Sequence, residues 1–176
     1  MQEFVVLVND KNEQIGVMEK LAAHTAYTPL HRAFSVYIFN KKGEFLLTRR
    51  AVNKKVFPGI WTNSCCGHPG PGEKTENAIA RRMQFELGLT PQNLKVVLPD
   101  YRYRAEMNNI VENEICPVYI ATVSQNPHSN PDEVSEHKWI SWKELLKQIR
   151  KFPDKYSPWC KEQVKILENN SLVNID

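Results

Sequence analysis

The sequence predicts an α/β (α+β) fold in one domain over residues 1–176, and two features carry that reading. One is the stretch 61–89, WTNSCCGHPGPGEKTENAIARRMQFELGL, in which an extended segment gives way to a Gly/Pro loop and then to a helix closed by glycine. The other is a series of short apolar runs of strand length, bounded by turn residues, on both sides of that stretch. A chain of 176 residues is of ordinary single-domain size and can bury a full core.

Taken in order, residues 4–8 and 14–19 are apolar-containing runs separated by NDKNE, which predicts an opening β-hairpin. Residues 20–30 have no clean period and are broken by Thr28-Pro29, so His24 and His31 do not share one helix and meet through a loop. Taken alone, each histidine reads more readily as a surface or hydrogen-bonded residue than as a metal ligand. Residues 33–39 form a strand, KKGE turns at Gly43, and residues 45–48 return as its partner. Arg49, Arg50, Lys54 and Lys55 then gather before the Pro58-Gly59 turn. They form either a solvated loop or a small basic cluster suited to a diphosphate.

Residues 61–64 are extended, and Gly67 with the following prolines and glycines predicts a tight loop carrying Cys66 and His68. Thr75 caps a helix whose Ile79, Met83 and Leu87 recur as one apolar stripe, with Gly88 as its left-handed stop. Free amides at such a junction attract anions, and Cys66, His68, Glu73 and Glu86 add groups that bind metal or move protons. A short strand follows at residues 94–98. DYRYRAEMNN then precedes a long strand at residues 110–123, in which Glu112 and Glu114 share a face with Cys116. Ionised carboxylates turned toward an interior require a cation or proton donors, unless the strand start is frayed into water. Pro117 argues for an edge or a bulge there. PHSNPDE is a loop and residues 134–140 a strand. Ser141 to Glu144 forms a capping box for a helix to about Lys151, and Ser157-Pro158 starts the last helix.

Charge is nearly balanced, with 23 basic and 20 acidic residues, so the total does not indicate a general affinity for nucleic acid or membrane, and local clusters matter more. No stretch approaches the roughly 20 apolar residues of a membrane span. The N-terminus has no basic, apolar leader pattern, and a cytoplasmic location is expected. Cys65, Cys66, Cys116 and Cys160 are too few and too irregular for a disulfide framework, so free thiols are expected.

The stretch 67–89 resembles the Nudix box, Gly-x5-Glu-x7-Arg-Glu-U-x-Glu-Glu-x-Gly-U with U apolar, through Gly67, Glu73, Arg81, Met83, Glu86, Gly88 and Leu89. Two acidic positions differ: Arg82 and Phe85 stand where the family's hydrolases carry metal-binding glutamates. With TNSCCGHP, HTAYTPLHRAFS and the Glu112/Glu114 pair added, nearly the whole chain resembles the metal-dependent, flavin-free (type I) isopentenyl-diphosphate isomerases. That resemblance implies a Nudix-like fold, a mixed β-sheet flanked by helices with an added N-terminal hairpin. It also implies 1,3-allylic proton transfer between isopentenyl and dimethylallyl diphosphate in isoprenoid biosynthesis.

By the same resemblance Cys66, Glu114 and Tyr103 are catalytic. His24, His31, His68, Glu112 and Glu114 hold zinc, manganese or magnesium, and Glu86 contacts a magnesium that accompanies the diphosphate. Lys20, Arg50, Lys54 and Arg82 bind the diphosphate, while Trp61 and Trp159 join Tyr103 around the hydrocarbon. Each aromatic, taken alone, also reads as a core residue. The implied partner is a small isoprenoid diphosphate, with no nucleic acid or membrane, acting on a monomer or weak homodimer. The competing readings are a Nudix pyrophosphohydrolase of a nucleoside diphosphate derivative and a non-catalytic diphosphate-binding module. A proton-transfer chemistry needs two acid/base groups and a closed aromatic pocket, because an alkene without a neighbouring carbonyl passes through a carbocation that water would trap.

Overall fold

The computed structural model describes residues 3–173. The chain builds two mixed sheets where one was expected. The opening hairpin forms as read, β1 (Phe4–Val8) antiparallel to β2 (Gln14–Glu19). It is not an appendage, because β1 continues into a five-stranded sheet in which β3 (His31–Arg32), β10 (Ile110–Ile115) and β9 (Arg102–Met107) follow it, in the order β2-β1-β3-β10-β9. A four-residue helix α1 (Lys20–Ala23) is capped by the Glu19 carboxylate, and a loop then leads to β3 (His31–Arg32). His31 therefore lies on a strand, with Leu7 of β1 opposite it on one side and Glu114 of β10 on the other.

The second sheet is built from β12 (Val134–Ile140), β5 (Phe45–Arg50), β4 (Phe34–Phe39), β11 (Val118–Thr122) and β8 (Gln92–Leu98) in that order, with two short strands added beside β5 and β4. Its central strand β4 (Phe34–Phe39) is buried on both faces. Phe34, Val36 and Ile38 pack under helix α2, and Tyr37 and Phe39 pack under the C-terminal helices. Strand β5 (Phe45–Arg50) runs two residues past its expected end. Next come β6 (Trp61–Thr62), paired with β5, and β7 (Cys65–Gly67), paired antiparallel with β4. The expected loop at Cys66-Gly67 is thus a strand. Gly67 has no side chain to clash with Phe34 opposite it, and the irregular backbone begins only at His68.

Helix α2 (Thr75–Leu87) buries Ile79, Met83 and Leu87 completely, as the stripe demands. Its cap residue is Lys74 rather than Thr75, and no side chain bonds the first turn. Gly88 ends it at φ 64°, where a Cβ would be strained.

The segment read as one strand at 110–123 is two. β10 (Ile110–Ile115) belongs to the first sheet, and β11 (Val118–Thr122) runs parallel to β4 in the second, next to β8 (Gln92–Leu98). Cys116-Pro117 is the crossover, since proline cannot donate to a ladder and the chain must leave one sheet there. The unassigned DYRYRAEMNN contains β9 (Arg102–Met107), joined to β10 through Asn108 and Asn109 at φ 53° and 61°, a tight turn of paired left-handed residues. The remainder follows the sequence reading, with β12 (Val134–Ile140), α3 (Trp142–Lys151) and α4 (Pro158–Asn169). Ser141 and Ser157 cap the two helices through their hydroxyls. The Glu144 carboxylate accepts from Gln148 rather than closing the box. Among the described residues no helix is long and apolar enough to cross a membrane.

Candidate active site

Five side chains able to ligate a metal meet where the two sheets face each other. One ligand atom from each of His24, His31, His68, Glu112 and Glu114 lies within 4.8 Å of every other. Strand pairing explains the meeting, because parallel register sets Glu114 beside His31 and period-2 alternation brings Glu112 to the same face. His24 ends α1, and His68 directly follows β7.

The imidazoles are oriented by their surroundings. Nδ1–H of His24 donates to the Lys20 carbonyl at 2.6 Å, and Nδ1–H of His31 donates to the Pro29 carbonyl at 2.9 Å. Both bonds place a proton on Nδ1 and aim Nε2 inward. Nε2 of His24 stands 3.0 Å from Glu112, and Nε2 of His68 stands 3.1 Å from Glu114 and 3.2 Å from Nε2 of His31. Nδ1 of His68 is buried without any partner. Burial and the neighbouring His31 push the His68 imidazole well below its usual range, so it is neutral. Burial would lift the Glu114 carboxyl, yet His31 holds it below the carboxylate norm. Three imidazoles and two carboxylates converging on one point form a donor set that suits a divalent cation.

A cavity of about 510 Å³ opens beside this cluster. Cys66, Tyr103, Trp159, Glu86 and the cations Lys20, Arg50, Lys54 and Arg82 all line it, together with Glu112 and Glu114. Cys66 and Glu114 enter from different sheets. Cys65 points to the opposite face of β7, into the core under α2. Trp61 departs from the expectation: it faces another groove, with the Lys138 ammonium 4.7 Å above its ring, because strand alternation turns Thr62 inward instead. Arg49 also turns away, toward the Gly59 carbonyl and Glu136.

Burial pushes the Cys66 thiol up to about 11, against the lowering influence of its hydrogen bonds to Ser35 and Asn63. Its Sγ donates to Asn63 Oδ1 at 3.2 Å, and the same oxygen accepts Trp159 Nε1–H at 2.9 Å. Ser35 Oγ lies 3.5 Å from the sulfur and accepts from Gln163 Nε2 at 3.1 Å, while Tyr37 donates to Gln163 Oε1 at 3.0 Å. Tyr103 pairs in register with Glu114. Burial, with Glu114 and Glu112 nearby, drives its phenol well above the usual value and keeps it protonated.

Sequence reasoning missed Asn63, Glu3 and Glu133. Asn63 has no exposure, and Glu3 and Glu133 both line the cavity. Arg82, expected to hold a diphosphate, bonds three carboxylates: Glu86 at 2.6 Å, Glu3 at 3.0 Å and Glu133 at 3.1 Å. A loop acid such as Glu133 leaves a faint trace in sequence, the Asn-Pro-Asp-Glu turn immediately before a strand.

Residues 29–160 match the NUDIX domain family. The chain is 50% identical over 172 residues to the isopentenyl-diphosphate Delta-isomerase of Paenarthrobacter aurescens (strain TC1), covering 97% of this chain and 94% of that protein. To the protein of the same name from Mycolicibacterium vanbaalenii it is 48% identical over 167 residues, covering 94% and 92%. Among solved structures, DR0079 from Deinococcus radiodurans superposes with a TM-score of 0.72 at 23% identity, over 93% of this chain and 98% of that one. A MutT protein from Methanosarcina mazei Go1 follows at 0.64 and 21% identity, over 81% and 96%. At those identities the structural matches speak for the fold alone.

Proposed function

We infer that this chain, which belongs to the NUDIX family and within it to the isopentenyl-diphosphate Delta-isomerases, moves the carbon–carbon double bond between isopentenyl and dimethylallyl diphosphate. The observation that carries the mechanism is that one cavity holds a neutral thiol and an ionised carboxylate from different sheets, beside aromatic rings and a group of cations. Protonating the terminal methylene carbon makes a tertiary cation. Removing a proton from the neighbouring allylic methylene completes the shift, so one proton enters and one leaves per turnover. Cys66 and Glu114 supply these two steps, and the group that gives in one direction takes in the other.

Tyr103, in register with Glu114, remains a phenol and hydrogen-bonds or relays to that carboxylate. The faces of Tyr103 and Trp159, with ring centroids 5.5 Å apart, shield the cation from water and offer π density to it. Lys20, Arg50, Lys54 and Arg82 hold the diphosphate, which fixes the hydrocarbon between the two acid/base groups.

His24, His31, His68, Glu112 and Glu114 would hold zinc, manganese or magnesium, and Glu86 a magnesium that comes with the diphosphate. When bound, the first ion supplies fixed positive charge that keeps Glu112 and Glu114 ionised while both are buried.

In deuterated water the protein is expected to place solvent deuterium in dimethylallyl diphosphate without releasing phosphate or diphosphate. Cys66→Ala should slow this by about 10²–10⁴-fold, while Cys65→Val leaves it near the parental rate. Near-parental turnover by Cys66→Ala would sink the mechanism. Efficient phosphate release from nucleotide sugars, dinucleotides or nucleoside triphosphates would reinstate the hydrolase reading, which the loss of box carboxylates at Arg82 and Phe85 argues against.

A further inference from the structure

Every cation lining the cavity already has a protein partner. Arg50 donates to the Val56 and Phe57 carbonyls, and Lys55 donates to the Leu21 carbonyl. Lys20 pairs with Glu3 at 2.6 Å, and Arg82 is ringed by Glu3, Glu86 and Glu133. Glu3 and Glu133 each bridge two of the expected diphosphate contacts through their two oxygens, Glu3 (34% exposed) between Lys20 and Arg82 and Glu133 between Lys54 and Arg82, and what sets Glu133 apart is its enclosure. Its carboxylate is only 14% exposed, and the two partners are 18% and 6% exposed. Burial alone would raise the Glu133 carboxyl, but Lys54 and Arg82 hold it below the usual range, so it is charged.

The backbone of Glu133 is fixed without its side chain. Its N–H donates to the Asn130 carbonyl at 3.0 Å and its carbonyl accepts from Ala51 N–H at 2.9 Å. The carboxylate can therefore swing off its partners while the loop stays in place. A phosphoryl group offers the same kind of oxygens to the same N–H donors, with more charge and more acceptors. The N–H donors of Lys54 and Arg82 are few, and Arg82 already divides its own among three carboxylates, so an entering phosphoryl group competes with Glu133 for them.

Resting on the diphosphate reading above, we propose that Glu133 is a positioning residue that occupies Lys54 and Arg82 in the free protein and surrenders them to the substrate's diphosphate group, thereby setting how tightly that group is held. In the free state it keeps two buried cations in place. In the bound state it is a like charge next to the ligand and favours release.

The test is calorimetric titration of inorganic diphosphate with magnesium into the metal-loaded protein, beside steady-state isomerisation. Glu133→Gln keeps the shape and removes the charge. It is expected to bind diphosphate about tenfold tighter and lower KM in parallel, with kcat unchanged or reduced by slower release. Glu133→Asp, one methylene shorter and unable to bridge both cations, keeps the charge and should tighten binding less. Damage to the fold would weaken binding, so tightening separates this role from a merely structural one. Lys54→Gln serves as the reference and should lose about tenfold in affinity. If Lys54→Gln binds as the parent does, the diphosphate lies elsewhere and the proposal falls together with the reading it rests on. If Lys54→Gln weakens binding while Glu133→Gln is unchanged or weaker, the proposal alone is overturned.

Discussion

Replacing Gly67 by alanine tests whether the site depends on one close approach. Gly67 stands opposite Phe34 in the β4–β7 ladder, and a Cβ built there meets Phe34 Cζ at 2.8 Å and Arg82 Cγ at 2.9 Å. Carbon atoms in comfortable contact sit roughly 3.5–4.0 Å apart, so each neighbour must yield by about 0.6 Å or more. Neither can do so freely. Phe34 has no exposure, and the Arg82 stem is tethered at its far end by three carboxylates.

The backbone of Gly67 is not in the left-handed region, so the cost is steric and falls in the overpacking range of about 1–3 kcal/mol. For a chain of this size that corresponds to a fall of roughly 3–10 °C in Tm. Strain relieved by moving β7 also moves Cys66 and His68, which flank the substitution, and displacement near the chemistry of about 1 Å costs on the order of 10²-fold in rate. Differential scanning calorimetry and a turnover assay read both effects. Adding Phe34→Leu should recover part of the activity, because it removes the ring atom that blocks Cβ. A Gly67→Ala protein with the parental Tm and parental rate would refute the steric reasoning.

Other expectations follow from the same cluster. In the metal-free protein, alkylation of Cys66 followed by intact mass should have its midpoint near pH 11 rather than at the usual thiol value, and labelling at neutral pH with a midpoint below 9 would contradict that environment. Sign matters here: a thiol raised by folding contributes stability below its unfolded value of about 8.5, and that contribution is lost as pH climbs from there toward the folded value. His24→Ala, His31→Ala and His68→Ala should each lower the content of bound divalent metal, measured by mass spectrometry of metal-reconstituted protein, and chelation should abolish activity. Full occupancy in all three variants would dismiss the cluster as a metal site.

Elements announced by local chemistry were legible in the sequence. The opening hairpin, the Ile79/Met83/Leu87 stripe, the Gly88 stop and the Ser141 and Ser157 caps each rest on a few adjacent residues. β9 was not recognised because Arg102, Arg104 and Glu106 face water and mask the inward alternation of Tyr103, Ala105 and Met107. The following Asn-Asn pair was its available signal. The split into two sheets was hidden because partners such as His31 and Glu114 lie far apart in sequence, and nothing local states which sheet a strand joins.

At the site, the resemblance carried the histidines, the glutamate pair and Cys66. It misassigned Trp61, whose closeness to the box in sequence does not decide the side to which a strand turns it. Glu133 and Asn63 went unseen because their roles consist of contacts with Lys54, Arg82 and Trp159, residues 79, 51 and 96 positions away.

Helix α4 reaches the Cys66 sulfur by two hydrogen-bonded routes, from Trp159 through Asn63 and from Gln163 through Ser35. All five residues of the His/Glu cluster precede residue 115. During synthesis, therefore, the residues of that cluster leave the ribosome well before those that complete the surroundings of the thiol. A chain paused before α4 docks would carry an assembled cluster beside a sulfur whose Asn63 and Ser35 neighbours still face water, and whose cavity lacks its Trp159 wall. On the proposed mechanism, proton transfer at Cys66 thereby depends on the docking of α4, which closes the pocket that would shield a carbocation.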